Sequence, residues 1–150
     1  NTEVTEGNTE VTEKRMRTQR AASTVFSKAE YPLSGLTENI IGCAIRVHKT
    51  LGPGFVEKIY QGALAEEFAK NKLHCEKEKK IIVRYDNKII GYQIIDFIVD
   101  NSVIVELKAV SELNNIQVGQ MVSYLKAAGL EIGLVLNFAK SRLDIKRVKL

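Results

Sequence analysis

IIDFIVDNSVIVELKAV, residues 94–110, is the stretch whose reading decides the fold. Two runs rich in β-branched and aromatic residues, Ile89–Val99 and Val103–Ala109, flank the turn-forming Asp100, Asn101 and Ser102, which predicts an antiparallel hairpin. Three ionisable residues interrupt these runs: Asp96 in the first, Glu106 and Lys108 in the second. Charges inside apolar strands are costly to bury unless they are paired or bind metal, so they carry the functional information. Register decides whether they meet. A three-residue loop sets Val99 opposite Val103 and hence Asp96 opposite Glu106, with Cβ atoms about 5 Å apart, whereas a two-residue loop sends the two carboxylates to opposite faces. Glu106 and Lys108, two apart, leave the same face about 6.5 to 7 Å from each other.

Working outward, Ile81–Tyr85 is a third short strand closed by Asp86 and Asn87. After the hairpin, Ile116, Met121, Val122, Leu125 and Ala128 recur at helical spacing, predicting a helix over 116–128 that Gly129 ends. Ile132–Asn137 is a fourth strand, apolar enough to be central, and the alternation of Leu143, Ile145 and Val148 can add an edge strand. Upstream, Ile40, Ile41, Ala44, Ile45, Val47, His48 and Leu51 predict a helix from Leu36, with Thr37 placed to cap it. Gly52, Pro53 and Gly54 break it, and a second helix runs from Val56 to Asn71 with Tyr60, Leu64 and Phe68 on one stripe. The order ααβββαβ describes an α/β fold: a mixed central sheet flanked by helices, because the return through the third helix needs a crossover connection.

At 150 residues and 45% apolar content the chain suits one domain with a real core, expected over 34–150. No apolar run approaches the roughly 18 to 20 residues of a membrane span, and the N-terminus lacks the apolar segment of a secretory signal, so a soluble cytoplasmic protein is expected. Residues 1–33 open with NTEVTE twice and hold little to bury; they are expected to be a disordered leader, read as a non-native extension since Met16 is the first available start. Arg15, Arg17 and Arg20 within it read as a solvated charge run. Cys43 and Cys75 lack the spacing of a zinc site or redox pair and read as reduced thiols. The formal charge of +4, from 22 Lys and Arg against 18 Asp and Glu, is compatible with a polyanionic partner without requiring one.

Phosphodiester hydrolysis at neutral pH calls for a divalent metal that polarises the phosphate and acidifies a bound water, held by converging hard oxygens. Asp96 and Glu106 supply such oxygens, and Lys108 sets a cation beside them. GFVEKIY, residues 54–60, resembles the GxxExxY signature of a small bacterial family within the PD-(D/E)XK nuclease superfamily. Glu106-Leu107-Lys108 is similar to the superfamily's ExK, Asp96 to its metal-binding aspartate, and Gln120-Met121-Val122-Ser123-Tyr124 to the QxxxY motif of RecB-like exonuclease domains. The resemblance covers Leu36 to Phe138. It implies a restriction-endonuclease-like core, Mg²⁺ or Mn²⁺ as cofactor, and a nucleic-acid substrate, DNA first. It also implies roles: Asp96 and Glu106 as direct ligands, Glu57 as an outer carboxylate near the metal, and Lys108 as orienter of the attacking water. Gln120 and Tyr124 share a helix face and would bond Lys108, metal waters or the DNA backbone. One departure stands out: Gln117 occupies the place where a histidine is expected, and His48 is not assumed to replace it.

Each residue also has a plainer reading. Glu57 suits the helix dipole in a first turn, Tyr60 and His48 suit packing, and Gln120 and Tyr124 suit any amphipathic helix. Asp96, Glu106 and Lys108 could form a surface cross-strand salt bridge, which does not explain their apolar setting. Two functions follow: a Mg²⁺-dependent deoxyribonuclease, or a nucleic-acid-binding or adaptor module with the same fold and no turnover. With no room for a helicase or a separate recognition domain, a homodimer or a partner protein remains open as a source of specificity.

Overall fold

The protein is described here by a computed structural model covering residues 33–150, in which the core is built on a five-stranded sheet. The elements are α1 (Ser34–Leu51), α2 (Glu57–Lys70), β1 (Cys75–Tyr85), β2 (Lys88–Val99), β3 (Val103–Lys108), α3 (Asn115–Ala128), β4 (Ile132–Asn137) and β5 (Asp144–Lys149). The sheet runs β1-β2-β3-β4-β5. Only β3 and β4 are parallel, joined through α3; the other neighbours are antiparallel. This is the mixed α/β architecture expected, with the edge strand β5 realised. β3 is the middle strand and β4 lies beside it, buried over all six residues. No helix among the described residues is long and apolar enough to cross a membrane.

The two sheet faces have separate cores. On one, Ile40, Cys43 and Val47 of α1 and Tyr60, Leu64 and Phe68 of α2 pack on Phe97, Val99, Val103, Val105 and Leu107. On the other, Met121, Tyr124 and Leu125 of α3 cover Ile81, Ile95, Ile98, Ile104 and Val135. Gly133 of β4 is what lets α3 approach: a Cβ there would clash with the Met121 side chain. Gly129 ends α3 in the left-handed conformation, as expected.

Three sequence expectations need correction. Thr37 lies inside α1, buried, and does not cap its start, because the helix begins three residues earlier at Ser34. β1 starts at Cys75, not Ile81: CEKEKK carries too much charge to read as a strand, yet an edge strand needs backbone partners on one side only, and β2 supplies them. The hairpin has the expected three-residue loop, with Val99 opposite Val103, but its ladder ends at Phe97 opposite Val105 and never reaches Asp96 and Glu106. The leader expected over residues 1–33, with its arginines, lies outside the described residues except for Leu33. Cys43 and Cys75 are free thiols, and burial pushes both up from their ordinary pKa.

Candidate active site

Asp96 occupies the point where β2 changes phase. Ile95 belongs to the α3-side core and Phe97, two residues on, to the α1/α2 side, although an unbroken strand would put both on one face. Opposite, Glu78 of β1 drops out of the ladder between Lys77 and Lys79 and takes φ 53°. Lys58 of α2 forms an ion pair with Glu78 at this kink. With the β2–β3 ladder already ended, carboxylates take over the pairing. The Asp96 N–H donates to Glu106 Oε1 at 2.7 Å, and the Leu107 N–H donates to Asp96 Oδ2 at 2.8 Å. Asp96 and Glu106 are thus brought together, interlocked across the strands by side-chain-to-backbone bonds and not by the regular pairing expected.

The surroundings supply donors from both helical layers. Gln61 of α2, itself only 4% exposed, donates from Nε2 to Asp96 Oδ1 at 3.0 Å. Lys108 donates from Nζ to Gln120 Oε1 of α3 at 3.2 Å. Glu57 opens α2 and accepts the Ala109 N–H at 3.0 Å, just past Lys108, so it lies at the end of β3 beside the pair. Tyr124 is buried over the same region. Burial pushes its hydroxyl up from the ordinary tyrosine pKa, the charges of Glu106 and Asp96 add to this, and a hydrogen bond with Gln120 opposes it.

The carboxylates themselves are strained electrostatically. Burial, and next the neighbouring Asp96 charge, push Glu106 up to about 7, against the Asp96 N–H bond and Lys108. Asp96 is also raised, by burial first and by the Glu57 charge, although the Leu107 N–H, Lys108 and Gln61 oppose it. Two desolvated, mutually repelling carboxylates are what a hard divalent cation would relieve, and Mg²⁺ is commonly held by one or two carboxylates while keeping several waters. The donor set therefore fits such an ion. Glu57, bonded to the Ala109 N–H, does not complete a triad: among the described residues no group of three or more His, Cys, Asp and Glu is arranged to hold a metal.

The remaining motif residues do structural work. Tyr60, fully buried, stacks on Phe138 at 4.5 Å, donates to Gly52 O at 2.6 Å and accepts the Phe55 N–H at 3.1 Å. It thereby holds the loop before α2, in which Gly54 takes φ 114°, a backbone conformation open to glycine. His48 bonds Lys140 O at 2.8 Å and stacks on Phe138. Gln117 accepts the Asn114 N–H at 2.8 Å, and Asn114 Oδ1 accepts from Ile116: a capping box, which explains why this position points to the helix end.

Two residues of the site escaped the sequence reading. Gln61 lies one turn after Glu57, and its polarity beside the Tyr60-Leu64-Phe68 stripe was the available signal. Asn137, wholly buried at the end of the otherwise apolar β4, bonds both backbone groups of Val110 and so fixes the chain where it leaves Lys108. A sequence model of the PD-(D/E)XK nuclease superfamily matches residues 34–148. No curated protein and no solved structure matches the chain. With the match spanning α1 through β5 and the Asp-Glu-Lys constellation inside it, the chain belongs to the PD-(D/E)XK nuclease superfamily.

Proposed function

We propose that this domain hydrolyses phosphodiester bonds of DNA with Mg²⁺ or Mn²⁺, using Asp96 and Glu106 as metal ligands and Lys108 as the catalytic cation. The superfamily is one of nucleases that generally use divalent metal ions, which makes the chain a hydrolase of nucleic acid by family. DNA as substrate, the choice of ion, the residue roles and kinship with the GxxExxY group are our reading. The observation that carries it is the pairing of buried Glu106 with half-buried Asp96, linked across an opened ladder with Lys108 beside it.

Asp96 and Glu106 would hold the cation, which when bound neutralises phosphate charge and acidifies a water. The protein's own groups do the rest. Gln61 and the Leu107 N–H aim the Asp96 carboxylate, and the Asp96 N–H aims that of Glu106. Gln120 holds the Lys108 ammonium, whose work is to orient the attacking water and stabilise charge developing on the phosphoryl oxygens. Glu57, at the end of β3, acts as an outer carboxylate toward waters of the site.

The test is cleavage of labelled single- and double-stranded DNA and RNA by wild type, Asp96→Asn and Glu106→Gln in Mg²⁺, Mn²⁺ or EDTA. Cleavage of DNA that needs metal and both carboxylates is expected. Binding without cleavage by wild type in every metal would leave the adaptor reading in its place.

A further inference from the structure

A groove runs away from the carboxylates between α3 and the edge hairpin. Near the site it is a pocket of about 330 Å³ lined by Gln120, Ser123 and Tyr124 on the helix and by Ile81, Val83 and Gln93 on the strands. Beyond it opens a larger pocket of about 660 Å³, sharing Ile81, Val83, Ser123 and Ala127 and bordered by Lys79, Lys80, Arg84 and Lys126. From Gln120 to Ala127 the helix rises about 10 Å, so the two form one continuous track. Its floor is mostly apolar or small, with Gln93 and Gln120 at the inner end. Four cations are among its lining residues, although Lys80 alternates with Ile81 and Val83 and turns its ammonium to the Tyr92 face of β1, and no Asp or Glu lines either pocket. Lys79 is paired with Glu76 and Lys80 lies over the Tyr92 ring, whereas the side chains of Arg84 and Lys126 make no ion pair or hydrogen bond among the described residues.

We infer that this groove between β1 and α3 takes the backbone of a single-stranded polynucleotide and leads it to the carboxylate site. Cations along the border suit phosphates, and an apolar floor ending at the Tyr124 ring suits sugars and bases, the combination that tracks a single strand. A stiff duplex can only lie across a crevice between a helix and a strand, while a flexible strand threads along it. Continuity with Gln120, which holds Lys108, separates this groove from an incidental basic patch. The inference deepens the nuclease reading and rests on it for what happens at the inner end, though strand binding itself does not depend on turnover.

The experiment is fluorescence anisotropy of labelled dT12, U12 and a 12-base-pair duplex with the full chain in EDTA, as a function of salt. The groove variant is Arg84→Glu/Lys126→Glu, backed by Arg84→Ala/Lys126→Ala should charge reversal impair folding; Lys49→Glu/Lys146→Glu, exposed and outside the groove, matches the net charge. Removing two phosphate contacts should weaken single-strand binding about tenfold and flatten the slope of log K against log salt by about 1.4. The matched control should keep the wild-type slope, and dT12 against U12 tells whether the groove prefers a DNA or an RNA strand. Equal losses in groove and control variants, or a duplex bound as tightly as dT12 and equally sensitive to Arg84 and Lys126, would overturn the inference. Wild type that binds dT12 through the groove but cleaves nothing in any metal would instead defeat the nuclease reading and leave the groove standing.

Discussion

Replacing Glu106 by Gln should stabilise the metal-free protein at pH 8 and leave it nearly unchanged at pH 4.5. Glu106 sits in the fold with its pKa pushed from 4.5 up to about 7 by burial and by Asp96. The folded state therefore holds this proton more tightly than the unfolded chain does. A group of this kind contributes stability that is fully present below pH 4.5 and is lost as pH rises through about 7. The span between the two values, at about 1.36 kcal/mol per pH unit, amounts to about 3 kcal/mol. Gln carries no charge to desolvate and keeps an oxygen for the Asp96 N–H, so the variant should escape the loss. For a domain of this size about 3 kcal/mol is on the order of 10 °C in melting temperature. Thermal melts of both proteins by circular dichroism in EDTA, at intervals from pH 4.5 to 8.5, would trace the gap. It should open between pH 5 and 8, and excess Mg²⁺ should close it by stabilising only the wild type. A gap that is absent, or constant with pH, would refute the claim that an ionised Glu106 is held against its own solvation.

Lys108→Ala should keep Mn²⁺ affinity within a few-fold by calorimetry yet lose cleavage by about a hundredfold or more, because its proposed action is on water and developing charge. Gln61→Ala should cost about 1 to 3 kcal/mol at pH 8 by denaturant melt, since it strips a half-buried carboxylate of a donor; a neutral outcome would mean water replaces it fully. A chain beginning at Ser34 should melt within a degree or two of the full-length protein, because among the described residues both cores are built from Leu36 onward; a large drop would show that the leader packs.

The hairpin was legible because its turn chemistry is local: Asp100 and Asn101 both take φ 53°, which Asp and Asn tolerate, and this fixes the loop at three residues and the register at Val99 with Val103. The helices were legible from their stripes, with Val56 and Asn71, the expected ends of the second, turning out to be its caps. What could not be read was the phase change at Asp96. IIDFIV is apolar and β-branched enough to pass for a regular strand, and only the non-local dropout of Glu78 and the early end of the β2–β3 ladder reveal that two alternations meet there. Gln61 was hidden for a related reason: its partner lies 35 residues away, and no local rule links a helix polar residue to one particular strand carboxylate. Glu57 was legible as a candidate from its motif, but the amide it bonds belongs to the chain after β3, which no motif specifies.

The same bonds that aim the carboxylates also satisfy the backbone where the ladder stops, and this separates folding from chemistry in a testable way. Where strands part, buried N–H groups need other acceptors. The N–H of Leu107 finds one in Asp96 Oδ2, while Asp96 Oδ1 accepts a hydrogen bond from Gln61 Nε2. Asp96→Asn and Asp96→Ala both remove the charge that repels Glu106, so both relieve the same electrostatic cost. They differ in what they leave behind. Asn retains an amide oxygen for Leu107, and Gln61 can turn its own amide to meet the new Nδ2 group. Ala orphans the Leu107 N–H in a residue only 1% exposed, at a cost of about 1 to 3 kcal/mol. Metal-free melts at pH 8 should therefore rank Asn above Ala by that margin, with both equally dead in cleavage. Equal melting of the two would mean that the Leu107 N–H finds another partner, and that Asp96 serves the metal site without closing the opened ladder.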